Sequence, residues 1–135
     1  MRVIALSLAL ASLCVAQIPS EYSEIIAGMA SAISEDRPEL AMTDVSKKMP
    51  DHDRLRDNLI ALCEQAEVTS SVADLQEDNG EVTADWILRI KLKAEEGRME
   101  ERHETVAMRF GREGKKWKIV ALQPVDFFGP PKMKM

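Results

Sequence analysis

A period of two dominates the stretch over residues 84–93. The even positions are apolar and include Trp86, Leu88 and Ile90, whereas the odd positions are charged apart from Ile87. Such alternation predicts a half-buried antiparallel strand with one face on a core and the other in water. We therefore expect this strand to lie in the middle of a sheet, whose apolar face the other apolar segments cover.

Helical spacing replaces the period of two in the N-terminal half of the chain. Apolar residues recur every three or four positions over residues 21–34, which predicts a first amphipathic helix. A proline in the first turn after Asp36 predicts a second helix, which we expect to run to about Lys48. A third apolar stripe follows Asp51 or Asp53, either of which is a suitable cap for a third helix.

Short β-type segments separated by turn signals follow the helices. A first strand is predicted over 68–75, and the turn over 76–80 ends in Asn-Gly, a strong hairpin signal. A third strand is predicted over 99–109, a turn over 111–114 and a fourth strand over 116–122. Three consecutive hairpins predict an antiparallel meander of four strands.

Helices first and strands second is an α+β pattern, in which three N-terminal helices pack on one face of a four-stranded antiparallel sheet. The strand and helix periods together predict the core. Its members are Ile25, Ile26, Met29, Leu55, Leu59, Leu62, Trp86, Leu88, Ile90, Val106, Met108, Phe110, Trp117 and Ile119.

The first sixteen residues predict a secretory signal peptide, because a basic start precedes an apolar run that ends in a small residue, Ala16. The run is too short for a membrane span, so an uncleaved anchor is the less favoured alternative. A lipoprotein is disfavoured because Leu13 precedes Cys14. We therefore expect an exported protein, periplasmic or secreted, with a domain over 17–131, a frayed tail over 132–135 and no membrane span after cleavage.

Composition excludes several classes of partner and site. The chain of 135 residues has a net charge of −5, which argues against nucleic acid and anionic membranes as partners. Two isolated histidines and Cys63 supply no metal-ligand cluster, and no Gly-rich phosphate loop is present, so no metal or cofactor is predicted. Cys63 itself is expected to be a buried thiol, the alternative being a disulfide between two chains.

The order of elements over residues 20–128 resembles the nuclear transport factor 2-like superfamily, also described as cystatin-like or SnoaL-like. Two local patterns add to the resemblance: the strand segment 84–88, and the hairpin 109–120 with its Gly-x-x-Trp-x-Ile sequence. The sequence also looks like small exported bacterial members of the superfamily with no assigned activity. The resemblance implies a cone fold, in which the helices lie in the concave face of a bent sheet. It implies no single function, because this superfamily includes enzymes, binding modules and dimerisation domains.

Enzymes of that superfamily use a carboxylate or a histidine inside the cone, where burial shifts its pKa. The inner face of the central strand offers no such group. Glu104 and Arg102 share the parity of the apolar face and could line the mouth of the concavity, or form a solvated strand end. Asp126 beside two phenylalanines is a third weak catalytic candidate, and a turn-capping role is its alternative. His103 is expected on the outer face and His52 in solvent.

The leading functional hypothesis is a non-catalytic exported domain that binds a small apolar ligand or a protein partner. The side chains expected to contact such a ligand, if they do not simply pack in the core, are Trp86, Leu88, Ile90, Met108, Phe110 and Trp117. A dimerising or structural module is the second hypothesis, with a homodimer through an outer sheet face that carries Ile87, Val120 and Leu122. An isomerase- or dehydratase-like enzyme that uses Glu104, Arg102 or Asp126 is the third.

Overall fold

The computed structural model describes residues 18–94 and 97–132. The predicted signal peptide, two residues of the turn before the third strand and most of the predicted tail lie outside these residues. The elements in chain order are α1 (Ser20–Ser34), α2 (Pro38–Ala41), α3 (His52–Gln65), β1 (Ala66–Asp78), β2 (Glu81–Leu92), β3 (Met99–Glu113), β4 (Lys116–Gln123) and a 3₁₀ turn (Val125–Phe128).

The four strands form one antiparallel meander in the order β1-β2-β3-β4, and the helices pack against one face of this sheet. The predicted α+β class is therefore confirmed. The tight turn between β1 and β2 is formed by Asn79 and Gly80, whose φ angles of 53° and 82° match the turn that Asn-Gly favours in hairpins. Within the described residues, no helix has the length and apolar character that crossing a membrane requires.

Two bulges interrupt the ladders of the sheet. In β1 the register with β2 shifts between Ala73 and Gln76, where Asp74 adopts a φ of 54°. In β4 Ala121 is opposite Arg109 and Ile119 is opposite Phe110, so Val120 is the extra residue. A bulge bends a strand and increases its local twist, which contributes to the curvature of this sheet.

The predicted second helix is wrong beyond Ala41. The chain after α2 turns and places Val45 beside the edge strand β4 in an isolated parallel bridge. The Ser46 N–H donates to the Ile119 carbonyl at 2.8 Å, and the Ile119 N–H donates to the Asp44 carbonyl at 2.8 Å. These bonds give the backbone partners that a longer helix would have supplied, and they bury Val45.

The third turn and the parity of β4 also differ from the predictions. β3 extends through Glu113, so the turn is shorter than predicted and consists of Gly114 and Lys115. The Val120 bulge reverses the parity of β4, and Leu122 is therefore buried in the core instead of lying on the outer face. The outer-face patch predicted for a homodimer loses this residue.

The core lies between the helices and the inner face of the sheet. Eleven of the fourteen predicted core residues are buried, which confirms the prediction for them, and Ile25, Phe110 and Trp117 are partly exposed. Sequence periodicity did not predict that Phe127 and Phe128 of the 3₁₀ turn are buried in the same core.

Candidate functional site

The interior of the cone is filled by the protein's own side chains. Trp86 is 0% exposed, its indole N–H donates to the Ser70 hydroxyl at 2.8 Å, and its ring meets the Phe128 ring edge-on at 5.1 Å. Leu88 and Ile90 are equally buried. A ligand could contact these three predicted binding residues only if the side chains that cover them moved.

The other predicted ligand-binding residues have different surroundings. Met108 is buried and lines a cavity of about 220 Å³. Phe110 stacks on Tyr22 with ring centroids 4.2 Å apart, and Trp117 meets the same tyrosine edge-on at 5.2 Å. Trp117 also lies under the Arg112 guanidinium and lines a cavity of about 380 Å³. The six predicted residues thus belong to several environments and do not line one pocket.

One end of the cone is covered by residues 124–132, which we name the C-terminal strap. Its 3₁₀ turn inserts Phe127 and Phe128 into the core, and the Asn58 side-chain amide of α3 donates to the Val125 carbonyl at 3.2 Å. Backbone carbonyls outside strands and α-helices need other donors when they are buried.

Arg102 supplies those donors. Its guanidinium donates to the carbonyls of Phe127, Gly129 and Pro130, each at 2.8 Å. Its Nε donates to the Glu100 carboxylate at 2.5 Å, and that carboxylate also accepts the Lys132 N–H at 2.9 Å. Arg102 is only 9% exposed, so these carbonyls and the Glu100 carboxylate take the place of water around its guanidinium.

The geometry at Glu100 shifts its titration. Burial works to raise the pKa of this carboxyl, but the hydrogen bonds from Arg102 and from the Lys132 N–H favour the charged form, and the pKa is lowered overall. The carboxylate is therefore the form that holds the strap at neutral pH.

The weak catalytic candidates do not share an enclosed site. The Glu104 side chain, within β3, is exposed. The Asp126 side chain is 71% exposed and is paired with Arg54. Arg102, the third candidate, uses its donors on the strap. His103 is exposed, as its parity predicts. Nothing in this arrangement places a proton donor and a proton acceptor on the two sides of a substrate.

His52 has different surroundings from those predicted. Its side chain is 14% exposed, and its Nδ1 lies 2.8 Å from the Asp53 carboxylate, whose pKa is lowered by this hydrogen bond and by Arg56.

Cys63 is buried as predicted, and burial, together with the nearby Asp36 carboxylate, raises the pKa of its thiol to about 11. A thiol with this pKa is protonated and unreactive at neutral pH.

A larger cavity lies outside the cone, between the segment that leads into α3 and the edge strand β4. It has a volume of about 560 Å³, and we name it the basic cleft. Its lining residues are Glu39, Met42, Thr43, Val45, Lys47, Lys48, His52, Arg56, Glu113 and Lys118. Sequence reasoning missed this cleft because it predicted a helix over the residues that form one of its walls.

Comparison with known proteins identifies the fold. No family model matches the chain, and no curated protein matches it. Among solved structures, a Novosphingobium aromaticivorans protein whose name proposes an aromatic ring hydroxylase has a TM-score of 0.65 at 12% identity, covering 78% of this chain and 89% of that one. A Xanthomonas campestris protein named for the association domain of calcium/calmodulin-dependent protein kinase II has a TM-score of 0.58 at 9% identity, covering 79% and 89%.

A designed nuclear transport factor 2-like protein also matches, with a TM-score of 0.50 at 17% identity, covering 75% of this chain and 93% of the design. The chain therefore has the cone fold of the nuclear transport factor 2-like proteins. The names of these neighbours describe different activities, and at such low identity the likeness extends to the fold alone.

Replacing Arg102 with Met should destabilise the protein by about 3–5 kcal/mol, because the strap carbonyls and Glu100 would be left buried without their donor. Arg89→Met is the matched control, since Arg89 is 58% exposed and lies 4.0 Å from Glu101. Its loss should cost about 1 kcal/mol or less. Urea unfolding measures both values, and hydrogen exchange should show faster exchange in the strap of the Arg102 variant alone. Equal losses in the two variants would contradict the role given to Arg102.

Glu100→Gln should make stability less dependent on pH. A carboxyl whose pKa is lower in the folded than in the unfolded state stabilises the fold at pH values above its ordinary pKa of about 4.3. This stabilisation is lost as the pH falls through the folded-state pKa. Wild type should therefore be more stable than the variant near pH 6, by a margin that shrinks near pH 3, as measured by urea unfolding. Glu101→Gln, at an exposed neighbour, is the control. A margin that is independent of pH would refute the assigned titration.

Proposed function

We propose that this chain is an exported, non-catalytic binding domain, which recognises a small ligand or a protein partner at its surface instead of inside the cone. The observation that carries the proposal is the filled interior. Trp86 and Phe128 are 0% exposed and in contact, and the strap covers them from one end of the cone. Binding inside would require displacement of a segment that four hydrogen bonds to Arg102 and Glu100 hold in place.

The absence of an acid-base pair in an enclosed site supports a binding role over catalysis. Glu104 and Asp126 are in contact with solvent and do not face an enclosed space in which a substrate could be held. Arg102 could stabilise a developing negative charge only after it had released the strap. The isomerase- or dehydratase-like alternative therefore has no group in the required position among the described residues.

Export is part of the same proposal and rests on the N-terminal sequence. A basic start, an apolar run and Ala16 at the break form a signal peptide that would be removed before the domain folds outside the cytoplasm.

A homodimer remains the second candidate for the surface interaction. Ile87 keeps its place on the outer face of β2 and is half-buried, and the bulged Val120 packs over Gly111.

Native mass spectrometry of protein purified from its own host tests the proposal. We expect a chain that begins at Gln17 and carries a bound molecule or partner, and we expect the Trp86 indole N–H to stay protected from hydrogen exchange when that molecule is removed. A chain that retains residues 1–16 would refute export. A bound molecule whose removal exposes Trp86 would refute surface recognition.

Light scattering of the same sample separates the two surface candidates. If the partner is a second copy, the mass should double and Ile87→Asp should return it to that of a monomer. Ser31→Asp, at an exposed position of α1 on the opposite side of the sheet, is the control for a new charge. A dimer that survives Ile87→Asp would show that this face is not the interface.

A further inference from the structure

The basic cleft has a charge opposite to that of the whole protein. Lys47, Lys48, Arg56 and Lys118 contribute four cations to its lining, against the carboxylates of Glu39 and Glu113. The chain as a whole has a net charge of −5. Charges of one sign that line a cleft with low-dielectric walls concentrate their field there and attract ligands of the opposite sign.

Several of these groups are already held by neighbours in the protein. Glu113 accepts a hydrogen bond from the Ser46 hydroxyl, and the Lys118 ammonium donates to the Thr43 carbonyl at 2.8 Å. Arg56 pairs with Asp57 at 3.2 Å and with Asp53 at 3.4 Å. These contacts fix the walls of the cleft, and they leave fewer free donors on Arg56 and Lys118 for a ligand.

Lys47 and Lys48 differ from these groups. Both side chains are exposed, and neither ammonium has a hydrogen bond or an ion pair with any residue in 18–94 or 97–132. The segment that carries them is nevertheless fixed, because Ser46 bonds to Ile119 through its backbone and to Glu113 through its hydroxyl. Two ammonium groups without a protein partner among the described residues, carried on a fixed backbone segment that lines the cleft, are available to an anion there.

The floor of the cleft is apolar. Met42 and Val45 line it, and both also belong to the core. The cavity volume of about 560 Å³ lies within the range of small-molecule sites, which combine apolar walls with a few polar groups that orient the ligand. Charge at the rim and apolar surface at the floor fit a molecule that has both kinds of surface.

We propose that the basic cleft binds an organic anion, with a carboxylate or phosphate head held by Lys47 and Lys48 and an apolar part in contact with Met42 and Val45. This inference rests on the proposed function, because it specifies which surface recognises a ligand and what chemistry that ligand has. It also changes the predicted ligand from an apolar molecule to an amphipathic anion.

Nuclear magnetic resonance titration of the labelled full chain tests this proposal with octanoate, octyl phosphate, octylammonium and inorganic phosphate. Octanoate or octyl phosphate should shift the Lys47 and Lys48 amides and the Met42 and Val45 methyls, and the tighter of the two identifies the head group. Octylammonium should shift none of them, and inorganic phosphate should bind at least tenfold more weakly than octyl phosphate. Added salt should weaken binding of the anions.

Two double variants with the same change in net charge complete the test. K47Q/K48Q should weaken binding of the preferred anion about tenfold or more, because charge-assisted hydrogen bonds are lost. K91Q/K115Q alters two exposed lysines that do not line the cleft and should change affinity less than twofold. Equal effects of the two variants, or equal binding of octylammonium and octanoate, would overturn the proposal.

The outcomes also separate this inference from the function on which it rests. If none of the four probes binds while native protein still carries a molecule at its surface, the inference fails and surface recognition stands. If octanoate instead shifts the resonances of Trp86 and Leu88, the ligand enters the cone. Both the basic-cleft proposal and surface recognition are then refuted.

Discussion

The buried guanidinium of Arg102 is the constraint on which the arrangement of the cone depends. A charged group that is 9% exposed needs acceptors in place of water, and the strap needs donors for the carbonyls of Phe127, Gly129 and Pro130. The Arg102 guanidinium supplies the donors and the strap carbonyls supply the acceptors. Because the pKa of Glu100 is lowered, its carboxylate stays charged beside the guanidinium. Because the strap is held there, Phe128 is held against Trp86 and the core is closed at that end.

A closed core changes where function can be located in this fold. The concave face of the sheet is the natural place for a pocket in a cone, but here the apolar residues that would line it contact one another. A cavity of about 560 Å³ lies instead where the chain leaves α2 and pairs with the edge of β4, and its charge is opposite to that of the rest of the molecule. A fold shared with proteins of different names therefore constrains the architecture, while the surface segment between α2 and α3 forms one wall of the basic cleft.

The parts of the fold that depend on local periodicity could be predicted from the sequence, and the parts that depend on contacts through space could not. Alternation over residues 84–93 was enough to place Trp86 and Leu88 in the core, because a strand with one wet face has a fixed parity. Leu122 was misplaced because the Val120 bulge exists only in the pairing with β3. The segment after Ala41 reads as helical by itself, but hydrogen bonds with Ile119 of β4 determine its course. The same limit hid the basic cleft, since Lys48 and Lys118 are brought together only by that bridge.

The cone is filled because Arg102 holds the strap closed over Trp86. A crystal structure of the protein purified from its own host, with any native ligand retained, would test both features together. We expect the Arg102 guanidinium within hydrogen-bonding distance of the three strap carbonyls, Phe128 in contact with Trp86, and density for any bound molecule outside the cone. Density for a molecule against Trp86, with the strap displaced from Arg102, would contradict the account.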